Sequence, residues 1–189
     1  MSSFLKRNKV DYVFIDWFGV LSTNYYWCVQ SKKHQNLKAW CDQVFHNSEM
    51  LNDWMRGKHT LESLSKLGRL TAEQIIDLFL KDIEFYRPDN ELLEALDRLF
   101  PKAKKVLVTD NMVLFDHILQ KYELLNSYFD RMYFSHEIGL LKNDQPDSLF
   151  DHILRDLELP NFENCLLVDD SQSNCELFKS FGGRSILVN

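Results

Sequence analysis

Residues 12–21 read YVFIDWFGVL and are the stretch that decides the fold. A run of apolar and β-branched side chains ends in one carboxylate, Asp16, and Gly19 follows three residues later. This pattern is typical of a buried strand that carries an acidic residue to the carboxyl edge of a parallel sheet, where open α/β folds place their functional residues. Asp16 is therefore the first candidate for a residue that takes part in chemistry.

Four further apolar runs predict strands, at residues 105–109, 131–135, 165–170 and 185–188. Between them, leucine, isoleucine and phenylalanine recur at spacings of three and four residues, which indicates amphipathic helices. Strands that alternate with helices of this length predict right-handed βαβ units. The predicted fold class is therefore α/β, with a doubly wound and mostly parallel five-stranded sheet.

Residues 22–86 contain no convincing strand and carry helical spacings instead. Thr71 with Gln74 three residues later predicts a capping box at a helix start. Arg87 and Pro88 mark the return to the α/β pattern, with Asp89 or Asn90 as the cap of the next helix. We predict a core domain formed by residues 1–21 and 87–189 and a helical cap formed by residues 22–86.

Composition excludes several classes of protein. With 45% hydrophobic and 26% charged residues, the chain of 189 residues fits neither a disordered nor a membrane-spanning protein. The net charge of -6 argues against nucleic acid as a partner, and we expect the short cluster Lys102, Lys104 and Lys105 to be solvated. The four cysteines are scattered, and residues 1–9 hold no long apolar segment, so the expected location is cytoplasmic.

Polar side chains follow the predicted strands in a definite order. Asp16 ends the first strand, Thr109 ends the second, and Lys142 follows the third by several residues. Asp169 and Asp170 end the fourth strand. Because the carboxyl ends of parallel strands meet at one edge of the sheet, we expect these five side chains to lie close together.

Four segments in this order resemble the motifs of the haloacid dehalogenase (HAD) superfamily. The segments are FIDWFGVL at residues 14–21, VLVTDN at 106–111, FSHEIGLLK at 134–142 and LLVDDSQSN at 166–174. The resemblance covers nearly the whole chain, and the helical insertion lies where a cap of the first type belongs in that family. One difference in the third segment is Asn143, which stands where the family has proline.

The resemblance implies a catalytic set of three residues. Asp16 would attack phosphorus and form an aspartyl-phosphate, which divides hydrolysis into two easier steps. The Thr109 hydroxyl would hold phosphoryl oxygens, and Lys142 would screen the negative charge that accumulates on the nucleophile and on the transferring group.

The resemblance also implies a magnesium site. Its ligands would be the carboxylates of Asp16 and Asp170, the backbone carbonyl of Phe18, and Asp169 directly or through water. Mg²⁺ prefers such oxygen ligands and keeps several waters. The implied partner is a small-molecule substrate, a phosphorylated metabolite.

Two departures from the phosphatase pattern concern the chemistry. Phe18 replaces the second aspartate of the first motif, which protonates the leaving group in the family. Loss of general acid–base catalysis typically costs about 10²–10⁴-fold in rate. Asp110 replaces the asparagine that usually follows the hydroxyl, and it places a further negative charge near the phosphate site.

Three functions remain open on these residues. Mg²⁺-dependent hydrolysis of phosphate esters accounts for Lys142, Asp169 and Asp170. A 2-haloacid dehalogenase accounts for Phe18, because related dehalogenases have an aromatic residue there and a halide leaves without a proton. The third alternative is a degenerate member of the family that binds a ligand with little turnover.

Cap residues would set the substrate. We expect a basic residue, Arg56 or Lys58, to face a phosphate, or aromatic residues such as Tyr25, Tyr26, Trp27 or Trp54 to face an apolar substrate. The aromatic residues around position 18 fit core packing and a pocket over Asp16 equally well. The six histidines show no metal-ligand spacing, and we expect them to be structural or surface residues.

Overall fold

A computed structural model describes residues 9–188, apart from the side chains of Leu124 and Asn126. The prediction for residues 1–9 therefore concerns a stretch that, except for Lys9, lies outside the described residues. Five strands form one sheet: β1 (Tyr12–Ile15), β2 (Lys104–Thr109), β3 (Arg131–Phe134), β4 (Cys165–Asp169) and β5 (Arg184–Leu187). All neighbouring strands are parallel, in the order β3-β2-β1-β4-β5, which confirms the predicted fold class.

Helices connect the strands. The segment between β1 and β2 holds α1 (Gln30–Lys33), α2 (Gln35–Phe45), α3 (Ser48–Met55), α4 (Leu61–Ser65), α5 (Ala72–Asp82), a 3₁₀ turn (Ile83–Tyr86) and α6 (Asn90–Leu99). Then follow α7 (Phe115–Lys121), a second 3₁₀ turn (Glu123–Ser127), α8 (Ser135–Ile138), α9 (Leu149–Asp156) and α10 (Gln172–Ser180). Within residues 9–188, no helix combines the length and apolar character that crossing a membrane requires.

The sheet is buried on both faces because successive strand residues point to opposite sides. On one face, Val13 and Ile15 of β1 belong to the same apolar cluster as residues of α6 and α7. On the other face, Phe14 belongs to a cluster with residues of α9 and α10. Helices on both faces explain why the strands read as continuous apolar runs.

The segment that holds α1–α5 adds no strand to the sheet. Two of the helix N-caps that the sequence predicted are confirmed. Thr71 and Gln74 form a capping box at the start of α5, and the Asp89 side chain accepts hydrogen bonds from the first turn of α6. A third cap was not predicted: the fully buried Asp82 accepts hydrogen bonds from the backbone N–H groups of Val29 and Gln30. Asp82 thus ties the end of α5 to the start of α1.

Two predictions about surface residues are wrong. Trp27 and Trp54 are completely buried, where they pack with Trp40, so neither can contact a substrate. Lys105 is also buried, because its ammonium group donates to the carbonyl oxygens of Phe100 and Ala103 at 3.1 and 3.2 Å. Apolar periodicity does not predict the tryptophan packing or the Lys105 hydrogen bonds, because each depends on which face of a helix or strand contacts its neighbour.

The end of helix α3 is hydrogen-bonded to residues that follow β3, Ser135 and Asp144. Arg56 donates through both arms of its guanidinium to Asp144, with Nε 2.9 Å from Oδ2, and it also pairs with Asp53. Ser135 Oγ donates to the carbonyl oxygen of Met55 at 2.7 Å. Lys58 pairs with Asp53 at 2.9 Å. Both cations expected to face a phosphate therefore already have carboxylate partners.

Candidate active site

The carboxyl ends of β1 and β4 meet at the centre of the sheet. Ile15 is paired with Val168, so Asp16 and Asp169 leave the sheet side by side. The strand order also reverses here, because β2 and β3 lie on one side of β1 while β4 and β5 lie on the other. Such a switch point opens a crevice between the loops, which is where open α/β sheets bind ligands.

Lys142 joins the two carboxylates. Its Nζ lies 2.7 Å from Asp16 Oδ2 and 2.7 Å from Asp169 Oδ2. The Lys142 side chain is only 1% exposed, although it belongs to a loop after α8. The structure thus brings together three residues that the sequence separates by as many as 153 positions from Asp16 to Asp169.

Asp169 and Asp170 have different surroundings. Asp169 Oδ1 accepts hydrogen bonds from the Ser171 N–H at 2.8 Å and from Asn174 Nδ2 at 3.1 Å, so both of its oxygens are engaged. Asp170 is exposed and accepts one hydrogen bond from the Tyr25 hydroxyl at 3.3 Å. Asp170 therefore has more capacity to bind a cation directly, whereas Asp169 orients Lys142.

Gly19 allows the loop after β1 to approach Asp170. Its φ angle is +80°, and a Cβ at this position would lie 2.0 Å from Asp170 Oδ2. Only glycine combines this backbone conformation with this contact. Gly19 therefore lets the loop after β1 lie against the Asp170 carboxylate, where any larger side chain would collide.

Burial and charge shift the pKa values of the central groups. Burial raises the pKa of Asp16 to about 6, against the lowering effect of Lys142, while the charge of Asp169 adds to the rise. Burial would by itself lower the pKa of Lys142, but the carboxylates of Asp16, Asp169 and Asp110 outweigh it and raise that pKa. Lys142 is therefore a permanent cation at this site.

Asp110 faces the same cluster. Its carboxylate accepts a hydrogen bond from the backbone N–H of Lys142 at 3.0 Å, and so it fixes the loop that carries the lysine. Burial raises the pKa of Asp110 to about 7, Lys142 opposes the rise, and the charge of Asp16 adds to it. The aspartate thus has a structural role that the sequence did not reveal, at the cost of a fourth acidic group.

A hydrogen-bonded chain runs from residue 26 to Asp16. Tyr26 Oη donates to Asn111 Oδ1 at 2.9 Å, and Asn111 Nδ2 donates to Thr109 Oγ1 at 2.7 Å. Thr109 in turn hydrogen-bonds the Asp16 carboxylate and lowers its pKa. Because Thr109 Oγ1 accepts from Asn111, its own hydrogen is directed to Asp16. Sequence reasoning missed Asn111, although it directly follows the second motif's Thr-Asp pair.

Phe18 lies among aromatic rings. Its centroid is 5.7 Å from the Tyr25 ring, 4.8 Å from Tyr26, and 6.1 and 6.4 Å from Tyr86 and Phe115. Phe18 and Tyr26 are half-buried, whereas Tyr25 is 56% exposed and its hydroxyl contacts the Asp170 carboxylate. The ring contacts of Phe18 therefore show packing, and a pocket over Asp16 stays a prediction.

The residues present fit a divalent cation. Asp16, Asp169 and Asp170 each offer a carboxylate oxygen within 4.8 Å of the others. Lys142 compensates only one of the three negative charges. A divalent cation would balance the two negative charges that are left. The three carboxylates offer the oxygen ligands that Mg²⁺ prefers. The carbonyl of Phe18 remains a predicted ligand.

Solved structures share this architecture. A predicted HAD-like family hydrolase from Porphyromonas gingivalis is 19% identical, with a TM-score of 0.74 over 95% of this chain and 91% of that one. A HAD family enzyme from Bacteroides thetaiotaomicron, in complex with magnesium and inorganic phosphate, is 17% identical, with a TM-score of 0.73 over 94% and 93%. No protein-family model and no curated protein sequence matches the chain.

A dehalogenase has the same fold. The L-2-haloacid dehalogenase from Xanthobacter autotrophicus, with chloropropionic acid covalently bound, is 14% identical, with a TM-score of 0.64 over 93% of this chain and 76% of that one. The chain therefore has the fold of the HAD-like hydrolases, as its four sequence segments predicted. Since an enzyme crystallised with magnesium and inorganic phosphate and a haloacid dehalogenase share this fold, the function must be argued from the site.

Proposed function

We propose that the protein is a Mg²⁺-dependent hydrolase that acts on phosphate esters through an aspartyl-phosphate on Asp16. The observation that carries this proposal is the position of Lys142, whose Nζ lies 2.7 Å from both Asp16 and Asp169. A buried lysine between two carboxylates holds the nucleophile in place and offers positive charge to an incoming phosphoryl group. The cation would be held by Asp16 and Asp170, with Asp169 and the Phe18 carbonyl as further ligands.

Each residue then has a defined part in the reaction. An Asp16 carboxylate oxygen forms a bond to phosphorus while the ester P–O bond breaks, and the leaving group departs with the electron pair. Thr109 orients the carboxylate, and Lys142 screens the charge on the transferring group. Bound Mg²⁺ would supply additional positive charge to the phosphoryl oxygens. Water then cleaves the acyl-phosphate bond and releases phosphate.

Phe18 restricts the substrate class. Phenylalanine cannot donate a proton to the leaving group, so we propose that the substrates are phosphorylated small molecules whose leaving group departs as a stable anion, such as aryl or acyl phosphates. Hydrolysis of the intermediate also proceeds without a carboxylate at position 18, so release of phosphate should be the slow step. A burst of product followed by slow turnover is the expected kinetic signature.

We further propose that residues 22–86 act as a cap over this site. The contacts of Tyr25 with Asp170 and of Tyr26 with Asn111 support this role, because both tyrosines belong to this segment and approach the strand ends. A covered site excludes water from the attacking carboxylate.

The test is a screen of aryl, acyl and alkyl phosphates, with Mg²⁺ or with EDTA, on the wild type and on Asp16→Asn. We expect Mg²⁺-dependent release of the aryl and acyl leaving groups, lost in Asp16→Asn and retained in Asp77→Asn, an exposed acid of α5. Acid quenching during the burst should trap phosphate on the wild-type protein. Activity that survives in Asp16→Asn would overturn the proposal.

A 2-haloacid dehalogenase is the second candidate, and the aromatic residue Phe18 favours it. The same Asp16 would attack carbon and expel a halide, which needs neither a proton donor nor a metal. Chloride release from 2-chloropropionate in EDTA, with no release of phosphate from any ester, would establish this alternative.

A further inference from the structure

We propose that Asp116, His136 and Glu137 form a second cation site, of the class that binds zinc and similar divalent transition metals. Each of the three side chains offers a ligand atom within 4.8 Å of the other two. None of them belongs to the Asp16 site. The inference therefore does not depend on the proposed hydrolase activity.

The histidine ring is oriented as a metal ligand is. His136 Nδ1 lies 3.0 Å from the backbone carbonyl oxygen of Asn111. A carbonyl oxygen can only accept, so Nδ1 carries a proton and, in the neutral ring, Nε2 keeps its lone pair. Histidines that bind metals almost always donate their other ring N–H in this way, to a carbonyl or a carboxylate.

The second ring nitrogen of His136, Nε2, has no hydrogen-bond partner among the described residues. The His136 side chain is only 5% exposed. Asp116 Oδ1 lies 3.3 Å away but does not meet the geometry of a hydrogen bond to Nε2. In the neutral ring, this buried acceptor faces a carboxylate with no hydrogen between them, which is unfavourable, and a cation bound to both atoms removes the conflict.

The distance between these two atoms matches a shared metal. Zn²⁺ binds histidine nitrogen and carboxylate oxygen at about 2.0–2.1 Å, and a tetrahedral angle then places the two ligand atoms about 3.3 Å apart. The observed separation of His136 Nε2 and Asp116 Oδ1 is 3.3 Å. Glu137 is exposed and free to adjust as the third ligand, and water would take the fourth position.

The site would join two short helices. Asp116 lies in the first turn of α7, whereas His136 and Glu137 lie in α8, directly after β3. Asn111, which His136 holds by its carbonyl oxygen, also belongs to the hydrogen-bonded chain that ends on Asp16. A metal at this place would therefore stabilise the loop after β2 without contacting the substrate.

The test is a calorimetric titration of the full-length protein with Zn²⁺ in the presence of excess Mg²⁺. A parallel titration with Co²⁺ reports the coordination geometry through its visible spectrum. We expect Asp116→Asn and Glu137→Gln to weaken binding by at least about tenfold, since even indirect partners of metal ligands contribute 10–100-fold. Asp170→Asn, which alters the Asp16 site, and the exposed control Glu62→Gln should both retain the site. These variants carry the test because His136→Gln also removes the contact to Asn111.

Two outcomes would overturn the proposal. If Zn²⁺ binding is kept in Asp116→Asn and lost in Asp170→Asn, the metal binds only at the Asp16 site. If the nuclear magnetic resonance signals of the His136 ring do not change on addition of Zn²⁺, then His136 and Asp116 form a simple ion pair. A change of the Nε2 resonance that disappears in Asp116→Asn would support the metal site.

Discussion

At the scale of single residues, the proposed hydrolysis depends on Phe18, because phenylalanine cannot donate a proton to the leaving group. Phe18→Asp would introduce a proton donor beside Asp16, and we expect it to raise phosphatase activity within the range of about 10²–10⁴-fold that such groups contribute. The gain should be larger for an alkyl phosphate than for 4-nitrophenyl phosphate, because the alkoxide needs the proton more. The measurement is kcat for both esters.

Phe18→Leu is the matched control, since it opens the aromatic cluster without adding an acid. Equal activity of the two variants on every ester, with both proteins folded and binding Mg²⁺, would remove the case for a missing proton donor. It would favour the dehalogenase or a binding protein without turnover.

Asp110 gives a prediction about pH. Its pKa of about 7 in the folded protein exceeds the value of about 4 in an unfolded chain. Its contribution to stability is therefore full below about pH 4 and is lost as the pH rises towards 7. Asp110→Asn keeps an acceptor for the Lys142 N–H without the charge. We expect the variant to be more stable than the wild type at pH 8, on the order of 1 kcal/mol, and to lose this advantage near pH 4.

Urea unfolding in EDTA at the two pH values measures this difference. Asp77→Asn, which removes an exposed carboxylate of α5 away from the Lys142 cluster, is the matched control. A variant at position 110 that is less stable than the wild type at pH 8 would mean that the charged hydrogen bond to Lys142 outweighs the repulsion among the carboxylates.

At the scale of elements, the Arg56–Asp144 ion pair connects α3 to the loop after α8. Both side chains are about four-fifths buried, and the hydrogen bonds from Arg56 lower the pKa of Asp144. The stabilisation is therefore present above the unfolded pKa of about 4 and is lost as the pH falls below it. We expect Arg56→Met to cost about 1.5–3 kcal/mol at pH 7, the range for hydrogen bonds to charged groups.

A double-mutant cycle with Asp144→Asn isolates the energy of this pair. Lys58→Met is the control, because Lys58 is 58% exposed and exposed pairs contribute about 0–1 kcal/mol. If Arg56→Met and Lys58→Met cost the same, α3 is held by its apolar contacts and the Ser135 hydrogen bond alone.

At the scale of the whole molecule, the order of the strands determines where charge collects. The central position of β1 brings the acids of β1 and β4 to one crevice, and the loop after α8 adds a single lysine. The excess of negative charge at this point opposes an anionic substrate. A divalent cation reverses that balance, which is why the proposed activity on phosphate esters should disappear in EDTA.

Much of this architecture follows from the sequence alone. The five strands, their parallel arrangement and the helical nature of residues 22–86 follow from apolar periodicity, which depends only on neighbours along the chain. The grouping of Asp16 with Asp169 also follows, because parallel strands end at the same edge, and the place of Lys142 beside them is what the resemblance to the HAD motifs implied. The caps at Thr71 and Asp89 were readable for the same local reason.

Only the tertiary structure decided which side chains face each other across elements. The pairing of Arg56 with Asp144, the chain from Tyr26 through Asn111, and the approach of Asp116 to His136 have no signal in the spacing of residues. Each depends on the direction in which a helix or a loop packs against the sheet. That direction is set by the fit of many buried side chains at once, and no short pattern in the sequence specifies it.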